Sequence, residues 1–221
     1  MKGHPFLIAT LRMVSEASSF PSISTCLIRR SSATVSSPLR QPLLHTKMDT
    51  TLGWATGFLK SQLLTTIPYP TFDFSGQTVI ITGSNTGLGL EAARHIVRLG
   101  AAAVILAVRT VSKGEAAARD IRQSCNVPKA NLEVWQLEMS ENASIKAFAK
   151  RAATLDRLDA VVLNAGVLTQ NFTALNGMES HIAVNAIGTM LLACLLLRKM
   201  RSSAERTGLR GRMTIVGSDL M

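Results

Sequence analysis

Three glycines that follow a run of β-branched residues are the part of the sequence best suited to bind a ligand. The run covers residues 79–81, and the glycines are Gly83, Gly87 and Gly89. The run predicts a strand buried on both faces, and residues 88–99 predict a helix. A glycine turn between the two lets the backbone approach a diphosphate, which the N–H groups and dipole of the helix start attract. A tight strand–helix turn without a ligand is the alternative interpretation.

A basic residue follows the second predicted strand, residues 101–108. Arg109 lies 20 positions after Gly89, where an acidic residue would bind the ribose 2′-hydroxyl of NAD. A base at this position suits the 2′-phosphate of NADP, because arginine forms charge-assisted contacts with phosphate. Lys113 could add a second positive charge. For both residues, a solvated side chain is the alternative.

Strands and helices alternate along the rest of the sequence. A capping-box pattern, Ser112 to Glu115, predicts the start of a helix that runs to about residue 123. Further predicted elements are a strand at 132–137, a helix capped by 140–142, a strand at 158–163, a helix at 178–200, a polar loop at 201–210 and a strand at 213–216. This pattern predicts a Rossmann-like α/β fold, a doubly wound parallel sheet of about five strands in the order 3-2-1-4-5.

The composition fits a globular chain with a sizeable core, since 47% of the 221 residues are hydrophobic. The net charge is +10, but the basic residues form no stripe interleaved with aromatic residues, so we expect no nucleic-acid partner. The three cysteines are scattered, which favours free thiols in a reducing compartment and no metal site. The apolar run at residues 190–197 is too short for a transmembrane segment.

Residues 1–47 differ from the rest of the chain, because they are rich in serine and arginine and nearly free of acidic residues. Three interpretations remain open: an alternative start at Met48, a mitochondrial transit peptide, or a disordered tail with a function of its own. Residues 48–75 predict a short helix and a connector, and residues 76–221 predict a nucleotide-binding domain. We therefore expect a cytoplasmic protein, or a mitochondrial one if the tail is a transit peptide.

Residues 82–89 have the pattern T-G-x-x-x-G-x-G, which resembles the cofactor motif of the short-chain dehydrogenase/reductase family. The motif and the helix after it are most similar to the retinol-dehydrogenase-like, fungal-type branch. The resemblance runs from about Phe72 to the last residue. Together with Arg109 it implies NADP as the cofactor. The contacts that it implies in the glycine turn are Gly83, Ser84, Asn85, Thr86, Gly87, Leu88 and Gly89.

The resemblance also implies binding residues after two later strands. Glu138 stands where the family usually has an aspartate beside the adenine, and its additional methylene leaves this contact open. Asn164, Ala165 and Gly166 resemble the family's N-A-G motif. The asparagine of that motif helps to hold the central sheet, and its glycine passes close to the cofactor. A turn after a strand is the alternative interpretation.

Two catalytic candidates follow from the same resemblance. Asn185 matches an asparagine that holds a water in the family's proton relay, and a structural asparagine bonded to a loop is the alternative. Ser218 matches the family's catalytic serine, and a turn serine is the alternative. The family's Y-x-x-x-K pair would follow Ser218, but the only tyrosine in the sequence is Tyr69. We therefore expect a chain that is truncated after its fifth strand and inactive as written.

The function that the resemblance implies is NADP(H)-dependent oxidation or reduction of a lipophilic alcohol or carbonyl. The alternatives are a non-catalytic cofactor-binding remnant, acting as a sensor or interaction protein, and a decayed product without function. A truncated sheet would expose its fifth strand as an edge, so we expect marginal stability. The family also implies a homo-oligomer that forms through the helix at residues 178–200.

Overall fold

The computed structural model describes residues 56–57, 59–60, 63–64, 69–128, 130–175 and 177–217. The chain divides into two units, residues 1–69 and 70–221. In the first unit, the described residues before Tyr69 are helical and exposed. The predictions for the 1–47 tail, for a start at Met48 and for Ser218 lie outside the described residues.

The second unit is built around a parallel sheet. The described strands are β1 (Thr78–Thr82), β2 (Ala103–Val108), β3 (Leu132–Gln136), β4 (Ala160–Leu163), β5 (Ala174–Leu175), β6 (Met178–Glu179) and β7 (Arg212–Ile215). Five of them form the sheet in the order β3-β2-β1-β4-β7. This confirms the predicted order 3-2-1-4-5, in which β7 is the fifth strand. The short strands β5 and β6 form a separate antiparallel hairpin, which the sequence did not predict.

Helices connect the strands of the sheet. Those in the described part of the second unit are α1 (Gly87–Arg98), α2 (Val111–Cys125), α3 (Asn142–Ala153), a π-helix (Ile182–Gly188) and α4 (Thr189–Thr207). Residues between the helices and strands are few, as is usual for βα connections. The sheet with helices on both faces confirms the Rossmann-like α/β class.

The capping box predicted at Ser112 to Glu115 is wrong, whereas the cap predicted at residues 140–142 includes the N-cap of α3. The link from β2 to α2 is only two residues long, so α2 begins before Ser112, and its N-cap Thr110 makes no side-chain cap hydrogen bond. The N-cap of α3 is Glu141, which also makes no such bond. The hydroxyl of Ser140 instead donates a hydrogen bond to the Glu138 carboxylate at 2.8 Å.

The helix predicted at residues 178–200 differs from the structure at both ends. Residues 178–179 belong to β6, and α4 continues to Thr207 through the predicted polar loop. Ser203 contributes to this extension, because its buried Oγ accepts a hydrogen bond from the Leu158 N–H at 2.9 Å. Gly208, with φ of 71°, ends the helix in the left-handed conformation.

Two apolar layers cover the two faces of the sheet. Alternate residues of a strand point to opposite faces. Val79 and Ile81 therefore pack with α1 and α2, whereas Ile80 packs with α3 and α4. All three side chains are fully buried, as the run of β-branched residues predicted.

The helical stretch Ile182–Thr207 is long and apolar enough to cross a membrane by length and composition. Leu192, Leu196 and Met200 on this stretch are buried in the core beside α3. The core helix of a globular domain has the same length and composition, so these two properties are weak evidence for a membrane span.

One buried carboxylate joins the strands at the amino end of the sheet. Asp159, directly before β4, accepts hydrogen bonds from the Thr78 N–H at 2.8 Å and from the Arg157 guanidinium at 2.7 and 2.8 Å. The hydrogen bond with Asp159 raises the pKa of Arg157. The Asp159 carbonyl also accepts the Arg212 N–H at the start of β7. Contacts within the chain therefore satisfy the carboxylate.

Candidate functional site

A cleft of about 480 Å³ lies at the carboxyl ends of the central strands. Its lining comes from the segments that directly follow β1, β2, β3 and β4, and from the hairpin and the π-helix. Ligands of open parallel sheets bind outside the carboxyl ends of the strands, where the strand order reverses. In this sheet the order reverses between β1 and β4, so the cleft lies where a ligand is expected.

The glycine turn between β1 and α1 has no room for a side chain at two positions. At Gly83, φ is +65°, and a Cβ would lie 2.9 Å from the Ala165 Cα. At Gly89, a Cβ would lie 2.5 Å from both the Gly83 carbonyl oxygen and the Asn164 Nδ2. Gly83 therefore allows the sharp turn, and Gly89 allows α1 to pack closely against β1.

The start of α1 has free space and no acidic residue. A Cβ placed on Gly87, the first residue of the helix, would meet nothing within 4 Å. The N-cap Thr86 makes no side-chain cap hydrogen bond, and the first turn contains no acidic side chain. The N–H groups of an uncapped first turn are suited to bind an anion such as a phosphate.

Ser84 is fully buried in the same turn. Its Oγ is the one buried side-chain oxygen or nitrogen of the described residues that has no hydrogen-bond partner. A buried hydroxyl without a partner is unfavourable unless a water or a ligand satisfies it. The close-packed Gly83, the open Gly87 and the unsatisfied Ser84 together fit a turn that binds a dinucleotide.

Asn164 ties the end of β4 to the end of β1. Its N–H donates to Thr82 Oγ1 at 3.0 Å, and its Nδ2 donates to the Thr82 and Gly83 carbonyl oxygens at 3.1 and 3.3 Å. The Ala165 N–H donates to the same Thr82 hydroxyl at 2.9 Å. These hydrogen bonds hold the backbone after β4 against the glycine turn.

Arg109 and Glu138 face each other in the cleft. The Arg109 Nε lies 3.9 Å from the Glu138 Oε2, and the arginine side chain is 74% exposed. The other carboxylate oxygen of Glu138 accepts hydrogen bonds from the N–H and the hydroxyl of Ser140 at 3.1 and 2.8 Å. Ser140 therefore fixes the carboxylate, whereas the guanidinium keeps most of its donors in solvent, where they can bind another anion.

Asn185 lies in the π-helix and bonds to the loop that follows β4. Its Oδ1 accepts the Val167 N–H at 2.8 Å, and its Nδ2 donates to the Val167 carbonyl at 2.9 Å. π-Helical turns are rare and occur frequently at functional sites. The side-chain amide has these two backbone partners, and its role in a proton relay stays a prediction.

Comparison with known proteins identifies the family. The family model described as short chain dehydrogenase matches residues 77–219. This chain belongs to the short-chain dehydrogenase family. The match extends from the residue before β1 past the end of β7, so it includes the whole described sheet and the cleft.

Curated short-chain dehydrogenases of fungi are similar to this chain. The short chain dehydrogenase/reductase dmxR8 of Cryptosporiopsis sp. is 46% identical over 165 residues, which are 74% of this chain and 51% of the relative. The short chain dehydrogenase atnD of Emericella nidulans is 44% identical over 159 residues, which are 72% of this chain and 50% of the relative. The chain thus spans about half the length of these curated relatives.

Solved structures of short-chain dehydrogenases share the fold. The citronellol catabolism dehydrogenase AtuB of Pseudomonas aeruginosa has a TM-score of 0.54 and 26% identity, with 70% of this chain and 61% of that chain covered. The short-chain dehydrogenase of Sphingobium yanoikuyae in complex with NADPH has a TM-score of 0.55 and 23% identity, with 65% and 54% covered. At 23% identity, the similarity to the Sphingobium yanoikuyae enzyme shows a shared fold alone.

The short-chain dehydrogenase sheet brings most of the predicted binding residues together. Those that line the cleft are Gly83, Asn85, Thr86, Arg109, Glu138, Asn164, Ala165 and Gly166. Leu88 and Lys113 are exposed and do not line it. Behind this lining, Ser84 lies in the glycine turn, and Gly87 and Gly89 lie in the first turn of α1. Contact of each of these residues with a cofactor stays a prediction.

Several cleft residues were missed by the sequence analysis. They are Ala107, Leu137, Met139, Ser140, Val167, Leu175 and Val184. Most lie within two positions of a predicted site residue, and most of those are close to the end of a strand. This closeness was the signal that could have identified them. Leu175 had no such signal, because it belongs to the hairpin that the sequence did not predict.

Proposed function

We propose that this chain is the cofactor-binding part of an NADP(H)-dependent oxidoreductase that acts on a lipophilic alcohol or carbonyl compound. The observation that carries the cofactor preference is Arg109, a largely exposed base that follows β2 and lines the cleft. An acidic residue at this position would favour NAD. When bound, a nicotinamide cofactor supplies the hydride transfer, and the protein binds and orients it.

The glycine turn would hold the diphosphate at the start of α1, and Arg109 would hold the 2′-phosphate. A phosphate at this position competes with the Glu138 carboxylate, 3.9 Å away, for the guanidinium. Phosphate is the stronger partner, because it carries more negative charge, whereas one oxygen of the Glu138 carboxylate is already held by Ser140. Lys113, exposed in the first turn of α2, adds positive charge four residues along the chain.

Apolar side chains in the cleft support a lipophilic substrate. Val167, Leu175 and Val184 line it together with the polar residues of the glycine turn. Apolar walls favour a ligand whose apolar surface leaves water on binding. The structural neighbour at 26% identity is named a citronellol catabolism dehydrogenase, and citronellol is a lipophilic alcohol.

The cofactor preference is tested by titrating the purified chain with NADPH and with NADH and following the nicotinamide fluorescence. We expect wild type to bind NADPH more tightly than NADH. Replacing Arg109 with alanine removes one charge-assisted hydrogen-bonding partner, so the Kd for NADPH should rise about 10- to 100-fold. The Kd for NADH should stay unchanged, because NADH has no 2′-phosphate.

Arg119→Ala is the matched control, because Arg119 is an exposed arginine of α2 that does not line the cleft. This variant changes the net charge by the same amount and should leave both Kd values unchanged. Equal losses of NADPH and NADH affinity in Arg109→Ala, or a wild type that prefers NADH, would contradict the proposed preference.

The catalytic part of the proposal concerns the whole protein. We assign Asn185 and Ser218 to its proton relay, while residues 1–221 contain no tyrosine after Tyr69. Sequencing the transcript beyond the codon for Met221 tests this assignment. An open frame with Y-x-x-x-K within a few tens of codons is the expected result. A stop codon directly after Met221 would leave a non-catalytic cofactor-binding protein. The proposed location is the cytoplasm.

A further inference from the structure

Two side chains of one helix hold the loop that follows the Asn-Ala-Gly motif. Asn185 pairs with the backbone of Val167. His181 Nε2 accepts a hydrogen bond from the Thr169 N–H at 3.0 Å. His181 and Asn185 are four residues apart, which places them on one face of the helical stretch. Together they bind two alternate residues of the loop.

Glu179 orients His181. The Nδ1 of His181 lies 2.6 Å from Glu179 Oε1, and Glu179 Oε2 accepts the His181 and Ile182 N–H groups at 2.8 and 3.2 Å. Because Nε2 accepts a hydrogen bond from Thr169, Nδ1 carries the ring proton and donates it to the carboxylate. This pair fixes both the ring orientation and the tautomer of His181.

The same carboxylate is held in its ionised form. Desolvation raises the pKa of Glu179, but the hydrogen bonds from His181, Ile182 and Ser180 outweigh this effect, so the pKa lies below its ordinary value. An ionised carboxylate accepts hydrogen bonds and donates none. Glu179 therefore keeps the Nδ1 proton of His181 directed at itself near neutral pH.

The loop is also closed by bonds of its own. The Ser180 N–H donates to the Thr173 carbonyl at 2.9 Å. The hydroxyls of Thr169 and Thr173 both donate to the Asn171 carbonyl, at 3.1 and 3.4 Å. Residues 167–173 are thus attached at their beginning, near their middle and at their end.

The loop begins at a residue that lines the cleft, although two of its apolar side chains face solvent. Val167 and Leu175 line the cleft, whereas Leu168 is 91% exposed and Phe172 is 79% exposed. A loop without attachments would tend to bury such side chains against the nearest apolar surface. The hydrogen bonds with His181 and Asn185 oppose such a rearrangement, because it would break them.

We propose that His181, oriented by Glu179, is a positioning residue that holds loop 167–173, whose first residue, Val167, lines the cleft. The loop keeps Val167 at the cleft and keeps Leu168 and Phe172 exposed. Its effect on NADPH rests on the proposed function, whereas the holding of the loop does not.

Hydrogen–deuterium exchange of the full chain, followed by mass spectrometry, tests this proposal. His181→Phe keeps an aromatic ring but removes both ring nitrogens. Exchange of the peptides that cover residues 166–175 should become about 10-fold faster, the factor that corresponds to one lost hydrogen bond. Exchange in β1 and α1 should not change. His181→Gln places an amide oxygen near the former Nε2 and should restore slow exchange.

Ile182→Phe is the matched control, because Ile182 is a neighbouring residue with a 54% exposed side chain. It introduces the same phenylalanine and should leave loop exchange as in wild type. If His181→Phe does not fold, His181→Asn replaces it in the test. Asparagine is too short to reach the Thr169 N–H, so this variant should show the same increase in exchange, confined to the loop. Unchanged loop exchange, or equally fast exchange in the Phe and Gln variants, would overturn the proposal.

Titration with NADPH gives the second readout. The Kd should rise about 3- to 10-fold in His181→Phe and stay at the wild-type value in His181→Gln and Ile182→Phe. An unchanged Kd in His181→Phe alongside faster exchange would remove the effect on the cofactor from the proposal. A wild-type chain that binds no NADPH would contradict the proposed function, while the exchange data would still decide the role of His181.

Discussion

The two ends of the parallel sheet satisfy their polar groups in different ways. At the amino end, the buried carboxylate of Asp159 binds the Thr78 N–H and the Arg157 guanidinium at 2.7 to 2.8 Å. At the carboxyl end, the buried hydroxyl of Ser84 has no hydrogen-bond partner among the described residues, and the Arg109 side chain is 74% exposed. The Asp159 carboxylate at the amino end is satisfied by groups of the chain itself, whereas the groups at the carboxyl end could be satisfied by a ligand.

This difference separates the residues that hold the fold from those that prepare a site. Removing one member of a satisfied buried network is costly, because it leaves the other member buried without its hydrogen bond. An unsatisfied group persists only where the surrounding contacts hold it in place. In this chain the Asn164 bonds to Thr82 and Gly83 provide those contacts. Substitutions at the two ends should therefore change the free energy of unfolding by different amounts.

The largest expected effect is at the amino end. Asp159→Ala leaves the partly buried Arg157 without its carboxylate and Thr78 without its acceptor, so the free energy of unfolding should fall by about 3–5 kcal/mol. Urea denaturation followed by circular dichroism measures this change. Asp156→Ala removes an exposed carboxylate three residues earlier and should change stability by less than about 0.5 kcal/mol. A loss below about 1 kcal/mol in Asp159→Ala would break the contrast between the two ends.

A smaller effect is expected in the glycine turn. Gly83→Ala combines an unfavourable left-handed φ with a Cβ at 2.9 Å from the Ala165 Cα, and should lower the free energy of unfolding by about 2–4 kcal/mol. Gly177→Ala shares the positive φ, but its Cβ would meet nothing within 4 Å, so the loss should be about 1–2 kcal/mol. Both values come from denaturant unfolding. Equal losses would show that close packing against Ala165 contributes nothing.

The smallest effects distinguish two buried serines. Ser203→Ala leaves the buried Leu158 N–H without its acceptor, so stability should fall by about 1–2 kcal/mol. Ser84→Ala removes a hydroxyl with no partner in the described part of the chain, so the ligand-free chain should keep its stability or gain up to about 1 kcal/mol. Thermal unfolding without and with NADPH makes the comparison. A destabilised ligand-free Ser84→Ala chain would show that this hydroxyl has a partner in solution.

The glycine turn was predictable because its signals are local. A β-branched run, three glycines at fixed spacing and a helix-forming segment act through backbone conformation and propensity, and the structure has the strand, the turn and the helix in those places. The alternation of elements and the right-handed crossover indicated a doubly wound parallel sheet, but they fit more than one strand order. Local pattern failed at the start of α2, because the two-residue link from β2 leaves this helix to begin before Ser112.

The sequence by itself thus determined the alternating architecture and the position of the glycine turn, since both depend on residues close together along the chain. Tertiary structure decided that Ser84 is buried with no partner among the residues the structure describes, that α4 extends to Thr207 and that His181 binds the Thr169 N–H. These features require side chains and backbone from separate elements to meet. Which groups meet is set by how the sheet and helices pack, and no local pattern contains that information.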